Sequence, residues 1–218
     1  MFDLEFYRSY YDDFYMKGDF RHYPESTTRA MLKAMQKKFF DAGKNILDLG
    51  CGTGVQMGAM ERIGLNATGL DLSRAGLTAA KEKLNPASLI QGDALRLPFA
   101  DNTFDAVVSF GCSLMNGSSP DLFRSFIREG LRVVKKSCWC VAITKSNFSG
   151  NEIDGWMHLR MREFREILKI DAQTGDIMVT LPKLFPLIHG FALSKIISAC
   201  MSSIPVSRSR TILLALQK

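Results

Sequence analysis

The sequence predicts an α/β fold, a mostly parallel sheet with helices on both of its faces. Two observations lead to this prediction. Short apolar runs alternate with helical stretches from residue 45 onward, and the first run ends in the glycine-rich turn Gly50-Cys51-Gly52-Thr53-Gly54. Because parallel strands need a long and usually helical crossover between them, this alternation is typical of such a sheet. A length of 218 residues is enough for one domain with a full hydrophobic core.

Each element of the predicted sheet has a local signal in the sequence. Ser73 can cap the helix after the second strand, since a serine oxygen accepts hydrogen bonds from the free N–H groups of a first helical turn. Pro98 and a turn at Asp101-Asn102 separate the third strand from the fourth. We expect strands at residues 46–49, 67–70, 88–91, 104–110 and 138–144, with helices at 55–63, 75–84 and 121–134 between them.

Other patterns precede and follow this alternation. Residues 1–44 are expected to be helical, with a break at Pro24 and, before it, aromatic residues at three- and four-residue spacing. After Ser146 the regular alternation ends. There we expect a polar loop at 147–155, a basic helix at 156–168, a hairpin at 169–181 with its turn at 171–176, a short helix at 183–190, and last strands at 191–197 and 211–216.

Composition bounds the function only loosely. A net charge of +6 is moderate and does not establish a nucleic-acid partner, although no acidic residue follows Asp176. The five cysteines form no CxxC pair, so we expect free thiols in a reducing cytoplasm, with no disulfide framework and no bound metal. The first residues lack the features of a signal peptide, and charges and prolines interrupt the apolar stretch 181–201, so no transmembrane segment is expected.

The glycine-rich turn and a carboxylate one strand later indicate a nucleoside ligand. Glycines at positions 50, 52 and 54 permit backbone angles and a close approach of main chain to ligand at a helix start. Asp71 ends the second strand, and an ionised carboxylate suits a ribose diol because it accepts two hydrogen bonds. Asp48 stands two residues before the first glycine, where it either serves the ligand or fixes the turn through local hydrogen bonds.

Polar or small residues also follow the next two strands. Asp93-Ala94 comes after the third strand, and Ser109-Phe110 ends the fourth. The carboxyl ends of parallel strands meet at one edge of the sheet, which is where ligands bind in open α/β folds. The spacing Gly-x-Gly-x-Gly differs from the Gly-x-Gly-x-x-Gly fingerprint of dinucleotide sites, and by itself it leaves the nucleoside open.

Three blocks of sequence resemble the class I S-adenosylmethionine-dependent methyltransferases. They are residues 48–54, 69–71 and 92–105, and the last block, with Leu97-Pro98-Phe99, is especially similar to the branch of ubiquinone- and menaquinone-biosynthesis methyltransferases. The resemblance covers about residues 45–145. It implies a Rossmann-like fold, with a mostly parallel seven-stranded sheet in a single domain over residues 1–218.

The resemblance also implies S-adenosyl-L-methionine as cofactor and a role for each strand end. Asp48 would serve the ammonium group, directly or through water, and Asp71 would bind the ribose hydroxyls. Asp93 would accept a hydrogen bond from the adenine amino group. The other implied residues lie against the methionine part (Gly50, Cys51, Gly52 and Gly54), the purine (Leu72, Ala94 and Leu95) and the passage to the acceptor (Ser109 and Phe110).

Four regions of the domain follow from the same resemblance. The aromatic N-terminal helix, with Tyr10, Tyr11 and Phe14, is expected to fold over the cofactor cleft as a lid, and simple core packing is the alternative. The regions are a helical lid at 1–44, a cofactor-binding core at 45–145, an acceptor-pocket insertion at 146–190 and the last strands at 191–218.

The sequence does not single out a catalytic residue. A sulfonium methyl group is already activated, so the protein mainly supplies alignment and desolvation. A base is needed only where the acceptor must lose a proton. Candidates for that base are His158, Tyr11 and His189, although a lone histidine is more often structural.

The acceptor is expected to be a small molecule, and the apolar, acid-free C-terminal region favours a lipophilic one. Methylation of RNA or protein is an alternative, which Ser109-Phe110-Gly111-Cys112 disfavours because no Asn-Pro-Pro-Tyr type motif follows the fourth strand. A non-catalytic cofactor-binding module is a further alternative. Residues 185–201 could also rest on a membrane surface, and the accepting atom and the oligomeric state stay open.

Overall fold

A seven-stranded sheet forms the centre of the fold. The computed structural model describes residues 3–18, 28–29, 32–33, 35–36, 44–85, 88–112, 120–146, 152–153, 156–157, 174–180 and 210–217. These residues include nine strands: β1 (Asn45–Leu49), β2 (Asn66–Asp71), β3 (Leu89–Gln91), β4 (Phe104–Phe110), β5 (Val134–Ser146), β6 (Glu152–Ile153), β7 (Trp156–Met157), β8 (Thr174–Thr180) and β9 (Arg210–Gln217).

The order of the strands in the main sheet is β3-β2-β1-β4-β5-β9-β8. The first five strands of this order pair in parallel. β9 runs antiparallel to both of its neighbours, β5 and β8. The sheet is therefore mostly parallel and seven-stranded, as predicted. Because β1, β2 and β4 are parallel, their carboxyl ends lie at the same edge of the sheet. The strand order runs outward in both directions from between β1 and β4, which makes this edge a topological switch point.

Four helices have described bounds. They are α1 (Leu4–Met16), α2 (Val55–Glu61), α3 (Arg74–Lys81) and α4 (Pro120–Val133). As predicted, Ser73 caps α3, and its hydroxyl accepts a hydrogen bond from the Gly76 N–H at 3.0 Å. Residues 28, 29, 32, 33, 35 and 36 are helical as well.

Alternating residues of the central strands fill a hydrophobic core on each face of the sheet. Ile46 of β1 belongs to the core that includes Met57 and Met60 of α2. Leu47, its neighbour in sequence, belongs to the opposite core, which includes Phe126 of α4. This alternation follows from the two-residue period of a strand, and it explains why neighbouring residues of a central strand are both apolar when each face of the sheet is covered.

The structure corrects the prediction in the C-terminal part. Trp156, expected to begin a basic helix, lies in β7, and Ile153, expected in a polar loop, pairs with it in β6. The sequence between these strands is Asp154-Gly155, a pair typical of two-residue hairpin connections. The rest of the predicted helix, residues 158–168, lies outside the described residues.

A second correction concerns the hairpin expected at residues 169–181. Its predicted turn includes Thr174-Gly175-Asp176, but these residues lie in β8 and pair with Gln217, Leu216 and Ala215 of β9. The antiparallel ladder to a strand far along the chain therefore outweighs the local turn signal. The strand expected at 211–216 is confirmed as β9, whereas the helix at 183–190 and the strand at 191–197 lie outside the described residues.

We predict that Phe126→Ala lowers the free energy of unfolding by about 3–5 kcal/mol, because it opens a cavity in the core beneath α4. Phe126 is 1% exposed, whereas Phe6 on α1 is 59% exposed and serves as a matched control. Phe6→Ala should cost about 1 kcal/mol or less. Urea unfolding followed by circular dichroism measures both changes, and equal losses for the two variants would contradict this core assignment.

Candidate functional site

The chain passes from β1 to α2 through a turn of three glycines with positive φ. The φ angles are 75° at Gly50, 52° at Gly52 and 74° at Gly54, a region that side-chain-bearing residues rarely adopt. The N–H groups of Gly50 and Cys51 both donate to the Leu70 carbonyl of β2. The glycine turn is thus fixed to the neighbouring strand at the carboxyl edge of the sheet.

Asp71, the last residue of β2, connects this turn to the start of α3. Its Oδ2 accepts the Gly52 N–H at 2.7 Å, and its Oδ1 accepts the Ser73 N–H at 2.8 Å. Burial raises the pKa of the Asp71 carboxyl, and these two backbone hydrogen bonds act in the opposite direction. The Leu72 N–H also hydrogen-bonds to this carboxylate, and because a carboxylate has roughly four lone-pair sites, acceptor capacity remains for ligand hydroxyls.

Asp48 is a buried carboxyl without a hydrogen-bond partner. The residue is 1% exposed, and neither of its oxygens accepts a hydrogen bond from the part of the chain that the structure describes. Burial, followed by the charge of Asp71, raises the pKa of Asp48 to about 7. An ionised carboxylate in such a place has a high desolvation cost unless a cation or donor approaches it. The arrangement therefore favours a cationic group of a ligand at Asp48.

Cys51, in the glycine turn, is buried near both of these carboxyls. Burial and the nearby charges of Asp48 and Asp71 raise the pKa of its thiol far above the usual range. The thiolate is the reactive form of cysteine, so a thiol held protonated in this way is a poor nucleophile. This agrees with the expectation that Cys51 is a small residue filling a tight loop.

The residues after β3 form a second part of the site. Asp93 Oδ1 accepts the Leu95 N–H at 2.9 Å, and only that one oxygen takes part in the bond. The Gly92 N–H donates to the Asp71 carbonyl at 3.0 Å, and the Gln91 side chain donates to the Leu72 carbonyl at 3.1 Å. The segments that begin at Asp71 and Asp93 are therefore held side by side. Ala94, the remaining predicted residue here, is buried in the core that includes Leu97.

At the end of β4, Ser109 is buried and its hydroxyl donates to the Leu49 carbonyl of β1 at 2.7 Å. This bond fixes the two strand ends that flank the glycine turn, so Ser109 has a structural contact that the sequence does not reveal. Phe110 is half-buried and packs against the core that includes Met57. Their predicted place beside the passage to the acceptor stays a prediction.

Helix α1 lies across the glycine turn. The Tyr15 ring packs on Gly76, where an added Cβ would lie 3.0 Å from ring carbons, and the Tyr15 hydroxyl contacts Gly52. Burial and the charge of Asp71 raise the pKa of Tyr15. Asp12 Oδ1 accepts hydrogen bonds from the Ser73 hydroxyl at 2.5 Å and the Ala75 N–H at 2.9 Å. The helix is therefore fastened to the first turn of α3.

Three residues of this site were not singled out from the sequence: Asp12, Tyr15 and Cys112. Asp12 and Tyr15 are three apart and share one face of α1, which the helical period could have indicated. Cys112 lies against the turn, where an added Cβ on Gly50 would be 3.2 Å from the Cys112 Cβ. Among the candidate bases, Tyr11 lies edge-on to Tyr10 in α1, whereas His158 and His189 lie outside the described residues.

Comparison with known proteins relates these features to a family. The sequence profile of a methyltransferase domain matches residues 47–142, which run from β1 into β5. Demethylmenaquinone methyltransferase of Corynebacterium kroppenstedtii is 40% identical over 94 residues, which are 43% of this chain and 38% of that protein. The enzyme of the same name from Listeria welshimeri is 36% identical over 136 residues, which are 59% of this chain and 55% of that protein. The chain therefore matches about half or less of the length of these relatives.

The fold is also similar to that of a solved methyltransferase structure. Geranyl diphosphate C-methyltransferase from Streptomyces coelicolor A3(2), in complex with Mg²⁺, geranyl diphosphate and S-adenosyl-L-homocysteine, superposes with a TM-score of 0.60. The match covers 86% of this chain and 77% of that one, at 18% identity. In the part of the chain that the structure describes, no helix is long and apolar enough to cross a membrane. Residues 47–142 thus match a methyltransferase domain, and the fold is the Rossmann-like fold of class I S-adenosylmethionine-dependent methyltransferases.

Proposed function

We propose that this chain binds S-adenosylmethionine and transfers its methyl group to a small-molecule acceptor. The observation that carries the proposal is the buried, unpartnered carboxyl of Asp48 beside the glycine turn. A ligand with an ammonium group, a ribose and an adenine supplies a partner for each of Asp48, Asp71 and Asp93. A nicotinamide dinucleotide has no aliphatic ammonium group to neutralise Asp48.

The residues present fit this cofactor. Asp48 would hold the ammonium group of its methionine part, and the lone pairs left on Asp71 would accept from the ribose hydroxyls. Asp93 would accept from the adenine amino group through the oxygen that Leu95 does not use. Because its three glycines carry no side chains of their own, the main chain of the turn can closely approach the methionine part.

The bound cofactor would supply an activated methyl group, so the protein's own residues would mainly bind, orient and exclude water. The carboxyls at the strand ends fix the donor at three points, which limits its rotation relative to an acceptor. Helix α1 would act as the lid over this cleft. Its support is the position of Tyr15 on the glycine turn and the attachment of Asp12 to α3.

For the acceptor, we propose a lipophilic small molecule. Two relatives are named for demethylmenaquinone, and the solved structure holds geranyl diphosphate; both compounds carry an apolar isoprenoid chain. The aromatic residues of α1 would border such an acceptor, with Phe6 and Tyr10 stacked at a centroid distance of 6.3 Å. Residues 146–190, expected to form the rest of the acceptor pocket, lie largely outside the described residues.

We also propose that the protein acts in the cytoplasm. Its support is the cysteine content: the five cysteines form no CxxC pair, and Cys51, Cys138 and Cys140 are free thiols in the structure. Free thiols persist in reducing compartments.

Calorimetric titration of the chain with S-adenosylhomocysteine tests the cofactor assignment, with NAD as the competing nucleoside. We expect one site for S-adenosylhomocysteine and no displacement by NAD. Incubation with methyl-tritiated S-adenosylmethionine and a short-chain demethylmenaquinone analogue then tests transfer. Binding without transfer to any lipophilic acceptor would favour a non-catalytic module, and absence of binding would refute the proposed function.

We predict that Asp93→Asn changes which base the site prefers. The amide oxygen can still accept from Leu95, and the amide N–H₂ then faces the ligand as a donor. Affinity for S-adenosylhomocysteine should fall about tenfold or more, while affinity for S-inosylhomocysteine, whose base carries an acceptor in place of the amino group, should rise. Asp13→Asn, at an exposed ion pair with Lys17, is the control. Unchanged preference in Asp93→Asn would contradict the adenine assignment.

We predict that affinity for S-adenosylhomocysteine falls as pH decreases below 7. The pKa of Asp48 is raised to about 7, so below that pH the free protein increasingly binds a proton that a cationic ligand must displace. The dissociation constant should rise by up to about tenfold per pH unit between pH 7 and 5. Titration calorimetry in buffers of different ionisation enthalpy should also detect proton release on binding.

Asp48→Asn should weaken binding at pH 8 and remove this pH dependence. The matched control is Asp105→Asn, at the start of β4, because hydrogen bonding from Lys135 lowers the pKa of Asp105 and keeps it ionised throughout. The Asp105 variant should keep the wild-type pH profile. A flat profile in the wild type, or a wild-type profile in Asp48→Asn, would contradict the role of Asp48.

A further inference from the structure

We propose that Glu129 and Arg132, on the last turns of α4, are positioning residues for recognition of the adenine base. They fasten the segment from residue 93 to residue 103, here called the adenine loop, which contains Asp93 and Ala94. The inference rests on the proposed function, because it concerns how the same cofactor site holds its base.

The side chains of Arg132 and Glu129 form hydrogen bonds with the main chain in the middle of the adenine loop. Glu129 Oε2 accepts the Leu97 N–H at 2.8 Å, and Arg132 Nη2 donates to the Leu97 carbonyl at 3.0 Å. Arg132 Nη1 donates to the Phe99 carbonyl at 2.8 Å and to Asp101 Oδ1 at 2.8 Å. Both main-chain groups of Leu97 are thus bound by side chains of one helix.

The far end of the adenine loop is bound to the main chain of the same helix. The Asn102 N–H donates to the Arg132 carbonyl at 3.1 Å, and the Thr103 N–H donates to the Val133 carbonyl at 2.8 Å. Asn102 has a φ of 57°, so the chain turns sharply there. The C-terminal end of the loop is therefore fixed by hydrogen bonds. The part of the loop that can still move lies between Asp93 and Leu97, where the side chains of Glu129 and Arg132 bind.

The near end of the loop is short and locally ordered. Asp93 Oδ1 accepts the Leu95 N–H, and the Asp93 carbonyl accepts the Arg96 N–H at 3.1 Å. Only Ala94, Leu95 and Arg96 separate the carboxyl that would read the base from the residue that Glu129 and Arg132 hold. A shift of Leu97 would therefore move Asp93 and Ala94 relative to the base.

The bonding pattern favours positioning over bulk stability. The Asp101 side chain is 65% exposed, and exposed ion pairs contribute little to folding. The guanidinium, however, forms a planar fork that can satisfy two carbonyls and two carboxylates at defined angles, which a lysine cannot do. Arg132 and Glu129 also bond to each other at 2.8 Å, so each orients the other.

The test is the ratio of dissociation constants for S-inosylhomocysteine and S-adenosylhomocysteine, measured by calorimetry on the full chain. In the wild type this ratio reports how well Asp93 reads the amino group of adenine. We expect Arg132→Met to lower the ratio by about tenfold, the range of one charge-assisted hydrogen bond, and Glu129→Gln to lower it less. Arg124→Met is the matched control, since Arg124 forms an ion pair with Asp121 on the same helix, and it should leave the ratio unchanged.

Two further variants separate positioning from general loosening of the fold. Arg132→Lys keeps the charge beside Glu129 but not the fork, so it should fold and still lower the ratio. In an Asp93→Asn background, Arg132→Met should change the ratio no further, because the group that reads the base is already altered. Equal loss of affinity for both ligands, with an unchanged ratio, would overturn the inference in favour of a structural role. Wild-type protein that binds neither ligand would refute the proposed function, and this inference with it.

Discussion

The carboxylate of Asp71 joins the two turns on which the whole site depends. It accepts the Gly52 N–H of the glycine turn and the Ser73 N–H at the start of α3, both within 2.8 Å. Ser73 then caps α3 through Gly76 and donates to Asp12, which fastens α1. The Asp71 side chain therefore holds the glycine turn after β1 against the start of α3. Through Ser73, the same connection extends to α1.

Burying the Asp71 carboxylate close to the Asp48 carboxyl has an electrostatic cost, and this cost bears on which ligand charge the site favours. Asp71 and Asp48 are both buried at the carboxyl edge of the sheet, and the charge of Asp71 contributes to the raised pKa of Asp48. Backbone N–H groups satisfy Asp71, while Asp48 has none. Because the folded chain leaves that second carboxyl unpartnered, we infer that the site favours a ligand that combines a positive charge with hydroxyl donors.

Local sequence signals were sufficient for the parts of the fold that depend on short-range physics. The glycine turn, the position of Asp71 at the end of β2 and the cap at Ser73 each follow from backbone angles or hydrogen bonds within a few residues. The attachment of Asp12 to Ala75 could not be predicted, because it joins residues 63 positions apart. For the same reason β8 was missed: its pairing with β9 outweighs the turn signal of Gly175-Asp176.

The most direct test of the account is a structure of the chain with S-adenosylhomocysteine bound. We expect the ammonium nitrogen within about 3 Å of an Asp48 oxygen, directly or through one water, and the ribose hydroxyls on Asp71. The adenine amino group should lie on Asp93, and α1 should cover the ligand. A ligand whose ammonium group lies away from Asp48, with that carboxyl still unpartnered, would contradict the central claim that this buried charge selects the cofactor.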